Sequence, residues 1–129
     1  VTIVVGFVPT KEGRAALTRA VEEAKSRGSR LVVINSHRGG IDDETMRAAE
    51  DELRQATAEV EASGAQVEVR QLVRGNEPAE DLIAVASETD ADLIVIGLRR
   101  RTPVGKLILG SNAQRILLDA PCAVLAVKG

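Results

Sequence analysis

Apolar positions along this chain alternate between two patterns. Five runs have strand length: Thr2–Phe7, Leu31–Asn35, Gln66–Val73, Asp92–Gly97 and Cys122–Val127. Four of the five are rich in Val, Ile and Leu with little polar interruption, as strands covered on both faces are. Gln66–Val73 instead sets Val67, Val69 and, out of step, Leu72 against Glu68 and Arg70, which predicts a strand near a sheet edge. Between the runs the period becomes helical. Ala16, Leu17, Ala20, Val21 and Ala24 form a stripe stopped by Gly28, and Met46, Ala49, Leu53, Ala56 and Val60 form one stopped by Gly64. Both glycines stand where a helix C-terminus wants a left-handed residue. A shorter stripe, Ala79, Leu82, Ile83 and Ala86, is entered through Asn76 and Pro78. The last helix opens at Ser111-Asn112-Ala113-Gln114, which has capping-box spacing, with Ala113, Ile116 and Leu117 expected to be buried.

Strict alternation of strand and helix predicts an α/β fold, a parallel sheet with helices on both faces and right-handed crossovers. Sheets of this kind bind ligands beyond the carboxyl ends of their strands, where the strand order reverses. The loops that follow the strands are Val8–Glu12, Ser36–Asp42, Arg74–Asn76 and Leu98–Gly110. No repeat, linker or low-complexity segment interrupts the pattern, and 129 residues suit one domain spanning 1–129.

Composition narrows the function. Hydrophobic residues at 44% and charged residues at 28% are the balance of a globular chain. The longest apolar runs, Leu93–Ile96 and Pro121–Val127, fall far short of the roughly 18 residues that span a membrane. No charged-then-apolar leader opens the chain, and one cysteine allows no internal disulfide, so the expectation is a reducing, cytoplasmic location without membrane attachment. Seventeen basic against nineteen acidic residues give a net charge of −2, which offers no bulk attraction to nucleic acid. Trp and Tyr are absent and Phe7 is the single aromatic residue, so a base-stacking platform for single strands is excluded.

The loop after the fourth strand carries the candidate chemistry. Arg99, Arg100, Arg101 and Lys106 concentrate four of the 17 basic residues there, ahead of Gly110-Ser111 at the start of a helix. Free N–H groups, the positive end of the helix dipole, a glycine that admits close approach and a serine hydroxyl read as a phosphate site. A capped helix behind a solvated basic loop accounts for the same residues. Gly105-Lys106 is followed by Leu107, so no Walker A loop is present, and no GxGxxG follows a strand. Thr10 reads first as a helix N-cap and second as a ligand contact. His37 follows the second strand on the ligand side, where solvation is the simpler role. Cys122 reads as a small buried hydrophobe, and Asp42, Asp43 and Glu44 as the acidic start of a helix. No nucleophile–base pair stands out, which makes catalysis the weaker hypothesis.

Taken together these segments resemble the universal stress protein family over nearly the whole chain. The most specific stretch is Ala91-Asp92-Leu93-Ile94-Val95-Ile96-Gly97, the long loop to Gly110-Ser111, and Ala120-Pro121-Cys122-Ala123-Val124-Leu125-Ala126-Val127. Nucleotide-binding members carry G-x2-G-x9-G-[S/T] here. Gly97 matches the first glycine and Gly110-Ser111 the last pair, whereas Arg100 stands at the second glycine. Arg-Gly-Asn-Glu-Pro-Ala-Glu (74–80) matches the family's lead into its third helix.

The resemblance implies a three-layer, doubly wound, five-stranded parallel sheet in the order 3-2-1-4-5, of the adenine nucleotide alpha-hydrolase-like kind. It implies ATP or another adenine nucleotide as a regulatory ligand in stress response, which Mg²⁺ could accompany, or no nucleotide in a second subset of dimeric signalling modules. A slow ATPase is a further reading. It also implies a homodimer through the fifth strand, Cys122 to Val127, an apolar edge that needs cover. The implied nucleotide residues are Val8, Pro9, Thr10 and Ser36 on the nucleoside side, with Ile96, Gly97, Arg99, Arg100, Gly110, Ser111 and Asn112 around phosphates and ribose. Two departures stand out. Arginine at position 100 exchanges backbone approach for a planar fork of donors. Val8-Pro9-Thr10 occupies the place where members commonly carry Asp-Gly-Ser, so the nucleoside-contacting carboxylate is missing.

Overall fold

The computed structural model describes residues 1–35, 42–71, 77–98 and 110–129. Its elements are β1 (Thr2–Phe7), α1 (Lys11–Arg27), β2 (Arg30–Asn35), α2 (Asp43–Ala62), β3 (Val67–Gln71), α3 (Pro78–Glu88), β4 (Leu93–Leu98), α4 (Ser111–Asp119) and β5 (Ala123–Lys128). The five strands pair in parallel in the order β3-β2-β1-β4-β5. Val4 pairs with Val32 on one side and Ile94 on the other, so the most apolar run occupies the middle. The mixed run forms an edge strand, as its alternation predicts. Its described extent stops at Gln71, and Leu72 and Val73 lie outside the described residues.

Period-two geometry sends successive strand side chains to opposite faces. Ile3, Val5, Phe7, Leu31, Val33, Leu93 and Val95 pack with α1 and α2. Val4, Val32, Ile34, Ile94 and Ile96 pack with α3 and with Ile116 of α4. Two cores share one sheet, which is why the central strands show no polar alternation.

The helix ends follow local chemistry. The Thr10 hydroxyl accepts the Gly13 N–H at 3.2 Å and caps α1. Asp42 caps α2, its Oδ1 accepting the Thr45 N–H at 2.7 Å, and that bond holds its carboxyl below the usual carboxylate range. Gly28 (φ 63°) and Gly64 (φ 91°) adopt the left-handed backbone expected of helix stops.

Two expectations for α4 are corrected. Its N-cap is Gly110, whose backbone is extended, and Ser111 is already helical. A serine inside the first turn cannot reach forward as a cap does, so the capping box does not form. Leu117 is 43% exposed and Leu118 83%, because the buried stripe of α4 narrows to Ile116 with Ala113 and Ala120 at its margins. Cys122 precedes β5, half-buried against the second core, and burial beside Asp92 pushes its thiol up.

Ser29, fully buried after the α1 stop, is the one residue among those described whose buried side-chain oxygen finds no partner. An orphaned buried hydroxyl costs about 1–3 kcal/mol. Ser29→Ala is therefore expected to raise stability by about 1 kcal/mol in urea denaturation; a loss would mean the hydroxyl is satisfied in solution.

Candidate anion-binding cavity at the strand-order reversal

The order reverses between β1 and β4, and their carboxyl ends open a crevice between the two helical layers. A cavity of about 320 Å³ lies there. The sheet contributes Gly6, Ile96, Gly97 and Leu98, and the β1–α1 turn Val8, Glu12 and Gly13. Pro78 and Leu82 line it from α3; Gly110, Ser111, Asn112, Ala113 and Ile116 line it from α4 and its cap. Beginnings of three helices thus meet in one cavity, because right-handed parallel crossovers aim them all at the same sheet end.

Missing side chains shape this end. A Cβ on Gly13 would stand 1.9 Å from the Val8 carbonyl oxygen, and one on Gly97 2.3 Å from that of Glu12. The first turn of α1 therefore lies directly on the end of β4. Gly97 fits the sequence motif, yet the atoms its bareness admits belong to α1.

The N–H groups of the helix starts are unequally committed. In α3, Pro78 has none, Ala79 donates to the Asn112 carboxamide oxygen at 3.2 Å, and Glu80 and Asp81 donate to the Glu77 carbonyl at 3.0 and 3.4 Å. In α1, Gly13 and Arg14 donate to Thr10. In α4, Gln114 donates to the Gly110 carbonyl at 3.0 Å, while the Ser111, Asn112 and Ala113 N–H groups have no acceptor among the described residues. This nine-residue helix keeps its positive end open, in the cavity.

Of the residues expected to hold a nucleotide, Val8, Ile96, Gly97, Gly110, Ser111 and Asn112 come together in the lining. Pro9 and Thr10 sit beside it on the β1–α1 turn, the Thr10 oxygen engaged as a cap. Ser36, Arg99 and Arg100, with His37, Arg101 and Lys106, lie outside the described residues. Sequence reasoning missed Gly6, Glu12, Gly13, Pro78, Leu82 and Leu98. Gly13 carried a signal, since a glycine in the first turn of a helix costs about 1 kcal/mol and is kept where something approaches closely. Glu12 places a carboxylate in the lining. Among the described residues no cluster of three or more His, Cys, Asp or Glu could hold a metal, and no helix is long and apolar enough to cross a membrane.

A five-stranded parallel sheet of this order, with an open helix start at its reversal point, defines a doubly wound domain of the adenine nucleotide alpha-hydrolase-like fold. The family model for the universal stress protein family matches residues 2–128, and the chain belongs to that family. It is similar to a universal stress protein of Mycolicibacterium smegmatis, 45% identical over 126 residues that cover 98% of this chain and 96% of the relative. It is similar to the solved structure of the universal stress protein from Archaeoglobus fulgidus in complex with dAMP (34% identity, TM-score 0.69, 99% and 98% of the two chains). It is also similar to that of a universal stress protein in complex with cAMP (26% identity, TM-score 0.70, 98% and 95%).

Gly97→Ala tests the seat of α1. With a Cβ 2.3 Å from the Glu12 oxygen, backbone must move, and overpacking of this kind costs about 1–3 kcal/mol. Urea denaturation should show that loss without any ligand present, whereas unchanged stability would mean the glycine is free of α1.

Proposed function

We propose that the cavity binds an adenine nucleotide as a regulatory ligand, its phosphate held by the open start of α4. The observation that carries this reading is the set of three uncommitted N–H groups, of Ser111, Asn112 and Ala113, in a cavity at the strand-order reversal. Complexes of similar proteins with dAMP and cAMP support the class of ligand. Gly110 admits the phosphate to the backbone, Ser111 adds a hydroxyl, and Gly6, Val8, Pro78 and Leu82 offer the nucleoside mostly apolar surface. The cavity is near the lower end of small-molecule sites, which begin at about 300 Å³. Glu12 opposes a run of further negative charge, so ATP would draw on Mg²⁺ held by its own phosphates and that single carboxylate. The role that follows is sensing a nucleotide in stress response from the cytoplasm. A second reading, a nucleotide-free interaction module of the same family, draws on Glu12 in the lining and on Val8 where a carboxylate is usual.

Because Trp and Tyr are absent, bound adenine would dominate the near-ultraviolet spectrum. The desalted protein should release AMP, ADP or ATP on denaturation, or bind added AMP. A blank spectrum followed by no AMP or ATP binding would select the nucleotide-free module. The donor set is tested by Ser111→Pro, since proline suits the first helical position and removes one of the three N–H groups. AMP affinity should fall about tenfold or more, the worth of one charge-assisted bond, with the fold retained. Ser111→Ala separates the part due to the hydroxyl. Equal affinity in Ser111→Pro would remove the α4 start from the site.

Pairing of two chains through β5 is proposed with it. β5 has a single neighbour in the sheet, its residues are half-buried or exposed, and Leu117 and Leu118 stand exposed on the helix before it. The protein should sediment as a dimer at tens of micromolar and as a monomer after Leu118→Lys with Ala126→Lys; a monomeric unaltered protein would overturn the pairing.

A further inference from the structure

We infer that Asn112 serves the cavity as a positioning residue: its side chain ties the start of α3 to the start of α4 and leaves the ligand to its own backbone N–H. The inference rests on the nucleotide reading above and assigns a residue role within it. Three observations converge. The Asn112 carboxamide oxygen accepts the Ala79 N–H at 3.2 Å, across 33 positions of sequence. Ala79 is the first residue of α3 with an N–H to give, because Pro78 precedes it, and Glu77 makes no side-chain cap. One turn further along, the Arg115 guanidinium meets Glu80 at 3.1 Å, a second link between the same two helices.

The two links differ in kind. Arg115 and Glu80 are both substantially exposed, and such a pair contributes little by itself. The Asn112 bond joins a half-buried side chain of the cavity lining to the fully buried Ala79, which follows the lining residue Pro78. It engages the one helix-start donor of α3 that lacks a backbone partner, so α3 meets the ligand through the surfaces of Pro78 and Leu82 rather than through N–H groups. The anion is thereby directed to α4, and the carboxamide, with the packing of Ile116 against α3, holds the apolar wall at its spacing from the donor wall.

The experiment uses amide exchange and two ligands, AMP and the uncharged adenosine. In the unaltered protein the Ala79 amide should exchange slowly, both free and saturated with AMP. Asn112→Ala should speed that exchange at least tenfold and weaken AMP and adenosine alike by about tenfold, the worth of one ordinary hydrogen bond. Asn112→Asp keeps an acceptor for Ala79, so slow exchange and adenosine affinity should return. AMP affinity stays low there, since a carboxylate now stands beside the donors. A residue acting on stability alone would shift melting and leave adenosine affinity untouched. Faster Ala79 exchange on adding AMP to the unaltered protein would show that the side chain lets go to grip the ligand, and would overturn the inference. So would unchanged Ala79 exchange, or unchanged affinities, in Asn112→Ala. Absence of AMP binding by the unaltered protein overturns the nucleotide reading, and the positioning role toward it, together. AMP binding indifferent to Asn112→Ala overturns the positioning role alone.

Discussion

The carboxyl end of the sheet is organised by a contact between two backbones, with no side chain between them. The first turn of α1 rests on Gly97 at the end of β4 and on Gly129 after β5, where added Cβ atoms would meet Glu12 backbone at 2.3 and 2.6 Å. The same turn folds back on β1, since Gly13 leaves room for the Val8 carbonyl. A helix that low brings its start into the crevice between β1 and β4 and closes one wall of the cavity. Interiors are packed at crystal-like density, so a single methyl at either glycine would move the helix and the wall with it. The cavity is therefore a consequence of how α1 is seated as much as of the loop that follows β4.

What the cavity can offer a ligand then follows from which donors remain. Parallel crossovers deliver several helix starts to one place, but α1 has Thr10 and α3 has Asn112 and the Glu77 carbonyl as acceptors. α4, whose cap is a glycine without a side chain, leaves its first three donors without an acceptor among the described residues, whereas α1 leaves only those of Lys11 and Glu12, beside the Glu12 carboxylate. A helix dipole acts within the first turn, so the favourable field is concentrated at Ser111 to Ala113 and opposed at Glu12. A ligand with one compact negative group and a neutral, largely apolar remainder matches that distribution better than an extended polyanion does.

The fold could be read from the chain because each of its decisions is local. Unbroken Val, Ile and Leu runs mark β1, β2 and β4 as strands covered on both faces, Gly28 and Gly64 mark helix stops, and the charged alternation of β3 places it at an edge. The same apolar pattern misleads at β5, an edge strand whose residues are half-buried or exposed. The stop of α3 escaped that reading because Asp90, with φ 54°, takes the left-handed position that glycine holds elsewhere. The cavity lining was legible where it coincides with a motif, as at Gly97, Gly110 and Ser111. Glu12, Gly13, Pro78 and Leu82 were not, since they enter the cavity through the packing of α1 and α3, which no local spacing encodes. The α4 start misled in a specific way: Ser111 has the right identity for a cap but stands one residue too late, and that single step is what leaves the donors open.

The two edges of the sheet are built on opposite principles, and the contrast bears on the pairing proposed above. At β3, Arg70 holds the Glu68 carboxyl below its usual range at 2.7 Å, Arg30 pairs with the same carboxylate, and Arg70 also reaches Glu88 of α3 at 3.1 Å. Exposed pairs of this kind add little stability, but a charged strand discourages the addition of another. β5 presents Ala123, Val124, Leu125, Ala126 and Val127 before its first charge at Lys128. An apolar strand with one open side is a template for pairing, and the pairing proposed above uses the bare edge rather than the charged one. Parallel neighbours elsewhere in the sheet need long crossovers, whereas two copies of β5 can meet antiparallel about a two-fold axis, the self-complementary arrangement in which each contact is made twice.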